Sequence, residues 1–159
     1  MTTTIANATL TVTLTESITL NGAQQGATNT KTFADIDEIS KRILTITTNE
    51  ATIATFSGAV TSAGHFNDGT VRYIRITNLH ATYFVALTLK NGANDEFAFK
   101  LDAGQSVVLS GDNSTGMELF FNATENADSA THTAFSPLTA ITADAESGTI
   151  DIEMFVATT

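Results

Sequence analysis

The chain has 159 residues, 42% apolar and 15% charged, with 7 basic against 17 acidic side chains, a net charge of −10 and no cysteine. That length gives one domain with room for a real core, and the lack of cysteine excludes disulfides, thiolate nucleophiles and Cys-ligated metals. The acidic balance speaks against nucleic acid and anionic membranes as partners, since both need Lys and Arg to displace counterions.

The imbalance is uneven: every basic residue lies at or before Lys100, while residues 101–159 carry nine acids and no Lys or Arg. The low charge is made up by 30 threonines. Threonine is β-branched, favours strands and faces water without carrying charge, so sheets with wet outer faces are expected. The start, MTTTIANATLTVTLTES, has neither the basic segment nor the unbroken apolar core of a signal peptide. No apolar run nears the ~20 residues of a membrane helix. Synthesis in a cytoplasm without export by the general route is the expectation.

In chain order, residues 1–7 read as a flexible arm. Leu10, Val12 and Leu14 then alternate with Thr9, Thr11, Thr13 and Thr15, the pattern of a half-buried strand. Ile18 and Leu20 extend it to a turn at Asn21-Gly22, and KTFADI pairs back as a short strand. DIDEISKR, residues 35–42, has acids first and bases last and predicts one helical turn. ILTITT and ATIATFSG read as strands, followed by a loop with a turn at Asp68-Gly69.

The most regular stretch is VRYIRITNLHATYFVALTLKNG, residues 71–92. Ile74 and Ile76 alternate with Tyr73, Arg75 and Thr77. Residues 78–82 form a tight connection. Val85, Leu87 and Leu89 share one face of the next strand, which ends at the Asn91-Gly92 turn. EFAFKL, SVVLS, MELFFNA and GTIDIEMFVA read as further strands, the last with Ile150, Ile152, Met154 and Val156 in register. Residues 123–134 read as a polar loop. About ten short strands and at most one short helix give an all-β, single-domain β-sandwich, jelly-roll-like, over residues 1–159. With few inward charges and one proline to protect its edges, such a sheet calls for neighbouring subunits.

Chemistry is sparse. His65, His80 and His132 lie in predicted loops without the close spacing of a metal site. Asp35, Asp37 and Glu38 have spacing suited to oxygen ligation of calcium but lack the central Gly and terminal Glu of a calcium loop; acids at a helix start explain them as well. Ser114 is not in a Gly-x-Ser-x-Gly elbow. No catalytic residue, cofactor or metal is assigned, and no enzyme activity is expected. Tyr73 and Tyr83 could stack a sugar, though packing is the better reading. Phe120 and Phe121 must point to opposite faces if extended, and an outward Phe would mark an interface.

The segments VRYIRITNL.AT.FV.L.LKN, DEFAFKLDAGQSVVLSG and the C-terminal ITADA…IDIEMFVA, with EISKRILTI upstream, resemble a group of small virion structural proteins of marine tailed phages. The likeness spans nearly the whole chain and is best over residues 71–110. It implies a non-enzymatic β-sandwich subunit of a virion, assembled in the host cytoplasm, that decorates or cements a capsid or builds part of a tail. Its partners would be the major capsid protein or other virion proteins, and it would be a homo-oligomer, a trimer by fold-level analogy. Interface residues expected on the non-core faces of the central hairpin are Arg72, Tyr73, Arg75, Tyr83 and Phe84. A sugar-binding module on the virion surface is the alternative from another class.

Overall fold

Wherever period-two alternation runs, a strand forms. The computed structural model describes residues 6–118, 121 and 135–159, and among these residues it is all-β. The strands are β1 (Ala8–Thr15), β2 (Thr19–Leu20), β3 (Ala23–Gln24), β4 (Thr28–Ile36), β5 (Glu38–Thr47), β6 (Ala51–Phe56), β7 (His65–Phe66), β8 (Val71–Asn78), β9 (Val85–Asn91), β10 (Glu96–Leu101), β11 (Ser106–Ser110), β12 (Leu138–Ala145) and β13 (Thr149–Thr158).

Two sheets make the body. One has the order β10-β9-β12-β6-β7 and the other β11-β8-β13-β5. Setting aside the two-residue β7 and numbering the remaining strands from β5 as first to β13 as eighth, the sheets read 5-4-7-2 and 6-3-8-1. That is jelly-roll connectivity, in which every connection but the β9–β10 hairpin crosses between sheets. The expected sandwich is therefore present. Connections β5–β6, β8–β9, β10–β11 and β12–β13 gather at one end of the body, and β6–β8 and β9–β10 at the opposite end.

The core lies between the sheets. Val85 and Leu87 from β9, Ile141 from β12, Ile74 from β8 and Ile150, Ile152, Met154 and Val156 from β13 are all sealed from solvent. These are the rows the alternation assigns inward. Leu101 is buried, whereas Phe97 on the same strand is 55% exposed, because β10 is an edge strand.

Residues 35–42 correct the expectation of a helical turn. They hold the corner between β4 and β5. Their charges suit either end of a helix, but Ser40, Arg42, Leu44 and Ile46 keep a period of two, and β5 pairs with β13 along its full length. Ten paired residues with one row entering the core outweigh a single turn of helix, whose nucleation is costly. The corner is made by Asp35, whose φ is +59°. Asp tolerates this left-handed region where a β-branched residue does not. Asp35→Val is expected to cost ~1–2 kcal/mol in urea unfolding, and Asp35→Gly little; equal midpoints for Val and wild type would mean the corner is not held.

β1 and β4 form a separate two-stranded ribbon. Thr11, Thr13 and Thr15 face Thr32, Thr30 and Thr28 across it, a threonine ladder on one face. Leu10, Val12 and Leu14 lie on the other face, as expected from the sequence. The strand expected over residues 117–123, the loop 123–134, His132 and Phe120 lie largely or wholly outside the described residues, as do residues 1–5 of the expected arm. Met117 is fully buried in the core.

Candidate interaction face

The outward rows of the two sheets differ in chemistry. On the five-stranded sheet, Ala86, Thr88 and Lys90 of β9 lie beside Asp144, Thr142 and Ala140 of β12. Lys90 Nζ bridges Glu50 at 3.0 Å and Glu96 at 3.1 Å. The Thr142 hydroxyl donates to Glu50 at 2.6 Å. These contacts hold Glu50 below the ordinary glutamate range, the Thr142 bond contributing most and Lys90 next. This is a solvated polar face.

The four-stranded sheet mixes apolar and polar side chains on its outer face. Register places Ser110, Tyr73, Ala157 and Ile39 in one outward row and Val108, Arg75, Phe155 and Lys41 in the next. Ser106, Thr77, Glu153 and Ile43 form the third. The first rows are roofed by the ribbon. Phe33 and Ile36 of β4 pack with Tyr73 and Ala157, joined by Leu10, Val12 and Phe155, in a second core separate from the main one. Tyr73 meets Phe33 at 6.0 Å and Phe155 edge-on at 5.9 Å between ring centres. Burial pushes its phenol pKa up, against the pull of Arg75. A crevice of about 280 Å³ remains between ribbon and sheet, lined by Leu10, Val12, Tyr73, Arg75 and Phe155 among others. Beyond the roof the face lies open, and Ile43, Val108 and Leu79 are 65%, 50% and 49% exposed.

The charges on this face neutralise one another. Glu153 is gripped by Lys41 at 3.0 Å and by Arg75. Arg75 also donates to Thr77 at 2.6 Å, and Thr77 shares a hydrogen bond with Ser106 at 2.7 Å. The hydrogen bonds from Lys41 and then Arg75 hold the Glu153 carboxyl below the usual glutamate range. A lowered carboxylate contributes stability above its unfolded pKa and loses it as pH falls through the folded value. Stability should therefore drop on acidification below about pH 4, and Glu153→Gln should flatten that drop in urea midpoints taken across the range. An unchanged slope would mean that the triad is not formed in solution.

The five residues expected at an interface do not share one patch. Tyr73 and Arg75 lie on this face, but Tyr73 is only 6% exposed beneath the ribbon, so it offers no platform to a sugar. Tyr83 and Phe84 sit at the end of the body. There Tyr83 stacks on His80 at 5.1 Å between ring centres, and Lys100 Nζ lies 4.9 Å over the Phe84 ring. Arg72 is at the opposite end, donating to the carbonyls of Gly69 at 2.8 Å and Asp112 at 3.2 Å. By parity it would share the inward row of Ile74 and Ile76, but β8 bulges there: Ala157 pairs with Tyr73 and Thr158 with Val71. The extra residue turns Val71 into the core.

Sequence reasoning missed two buried asparagines that clamp the ends of the body. Asn78 donates to the carbonyls of Tyr83 at 2.9 Å and Leu101 at 3.1 Å, and accepts from the His80 amide at 2.9 Å. Asn91 donates to Asp95 Oδ2 and the Phe121 carbonyl, both at 3.0 Å, and accepts from the amides of Ala93 and Asp95. Their signal in sequence was an Asn as last strand residue before a turn. Asp112 works alike at the surface. Its carboxylate accepts from the Ser114 hydroxyl and from the Ser114 and Thr115 amides, which holds its pKa at about 2.

Among the described residues, no three His, Asp or Glu side chains gather in a metal-binding group. Asp35, Asp37 and Glu38 flank the β4–β5 corner. Both ring nitrogens of His65 are engaged, by the Ser57 and Thr61 hydroxyls at 2.7 and 2.8 Å. Comparison with protein-family models, with curated proteins and with solved structures finds no match.

Proposed function

We propose that this chain is a non-enzymatic structural protein of a phage particle, a decoration or cement subunit on the outer surface of the head. The observation that carries the reading is the outer face of the four-stranded sheet. Three large apolar side chains, Ile43, Val108 and Leu79, stand exposed among its polar residues, Glu153 is paired with Lys41 and Arg75, and the chain's own ribbon covers only part of it. A face of this kind works by burying area around a few central anchors, here Ile43, Val108 and Leu79. Jelly-roll connectivity is shared by capsid, lectin and cupin domains and selects none of them alone. The likeness of residues 71–110 to small virion proteins of marine tailed phages favours the first. The partner surface would be supplied by a neighbouring virion protein, a second copy of this chain included, with the shell protein as the wider partner of the assembly.

The second reading is a tail or fibre-attachment component, which uses the same face in fewer copies. Quantitative mass spectrometry of purified particles separates the two. A decoration protein should approach the copy number of the major shell protein, and a tail part should be limited to one ring or a few. Ring-level stoichiometry would overturn the decoration reading.

A further inference from the structure

We propose that the ribbon of one copy docks on the open half of the four-stranded sheet's outer face in a second copy, with Leu14, Ile18 and Leu20 as its apolar contacts. Residues 13–25 and 27–32 are all exposed, and these three side chains are 62%, 56% and 59% exposed. Two strands without a covering layer are marginal in water, so this length of ribbon lacks what would hold it.

Three observations select a second copy as the covering layer. The first is continuity. The apolar row that ends in Leu14 starts at Leu10 and Val12, and those two already seat on Tyr73 and Phe155 of this same face. The surface the ribbon prefers is thus this outer face, and its uncovered part continues with Val108, Ile43 and Leu79. The second is charge. Residues 6–34 hold one acid, Glu16, and one base, Lys31, in a chain of net charge −10. Two bodies repel each other, whereas this neutral segment does not add to the repulsion. The receiving face matches it, since Glu153 is satisfied by Lys41 and Arg75 and Asp151 accepts from Thr45 at 2.6 Å. The third is shape. The open half contains a depression of about 220 Å³ lined by Ile43, Leu79, His80, Thr149 and Asp151. That is room for a leucine or isoleucine side chain, the buried anchor a stable contact needs.

The contact joins two different surfaces and so can close reciprocally in a dimer or run head to tail around a ring. It does not depend on where in a particle the chain resides.

Sedimentation velocity on the full chain, from low micromolar to its highest soluble concentration, tests it. Wild type should self-associate. Ile18→Asp with Leu20→Asp on the ribbon, and separately Ile43→Asp on the face, should each weaken association about 30-fold or more. All three positions are exposed, so circular dichroism and urea midpoints should stay those of wild type. Mixing the ribbon variant with the face variant should recover association, because one intact ribbon then meets one intact face. A wild type that stays monomeric throughout would overturn the proposal. So would a face variant that associates as wild type does, which would mean ribbon meets ribbon, and so would a ribbon that binds only a different protein. None of these results alters the copy number in particles, so the virion reading stands or falls separately.

Discussion

Asn78→Ala should lower the unfolding free energy by about 3 kcal/mol, because it strips three hydrogen bonds at the end of the body, the one to the Leu101 carbonyl buried. Asn78 is completely buried. Its side chain ties the carbonyls of Tyr83 and Leu101 and the His80 amide, and its own backbone bonds Gln105 and Gly104. Two jelly-roll connections, β8–β9 and β10–β11, are therefore fastened to one residue. Removing the amide leaves the buried Leu101 carbonyl unpaired, which costs more than the net worth of that bond. Asn78→Leu should be no better, since it fills the volume and still orphans the same groups. Urea unfolding followed by circular dichroism measures the loss. A change under ~1 kcal/mol, the scale of a surface substitution, would mean that water reaches this end and the clamp is not structural.

The second large effect is expected at Ile152. It is fully buried in the middle of β13, between β5 and β8. Ile152→Ala should cost 2–5 kcal/mol, the lost transfer energy plus an unfilled cavity. Ile43, one strand away on the same sheet but facing outward, is the control. At 65% exposure, Ile43→Ala should change the stability of the isolated chain by no more than ~0.5 kcal/mol. The contrast states the difference between the sheet's two sides: the inner holds the fold, and the outer is available for something else. Similar losses at both positions would show that the outer face is already covered within one copy.

How much of this was legible in the sequence follows from the period of the pattern. Strict alternation at Val85 to Leu89 and at Ile150 to Val156 assigns strands and inward rows that the structure keeps, and at Leu10 to Thr15 it assigns a strand whose apolar row is covered at Leu10 and Val12 but exposed at Leu14. Where one residue is inserted, as at Arg72 in β8, parity reverses without a mark in the composition, and Val71 and Arg72 trade roles. Residues 35–42 show the opposite failure. A helical charge pattern and a strand period coexist there, and only the partner strand β13, distant in sequence, decides between them. The ribbon's threonine ladder follows from the alternation, but its folding back onto Tyr73 and Phe155 does not. That contact turned the expected outward Tyr73 into the centre of a second core. Which part of the outer face stays open depends on which rows the ribbon covers and which it leaves, a matter of tertiary geometry.

The central claim is that the outer face of the four-stranded sheet is the working surface of this protein. Electron cryomicroscopy of particles carrying the chain, at a resolution that places side chains, is the direct test. Sandwich density is expected on the shell, with Ile43, Val108 and Leu79 buried against a neighbour and the Lys90–Glu50–Glu96 face turned to solvent. Density seated by that polar face, with Ile43 in water, or particles that lack the chain, would contradict it.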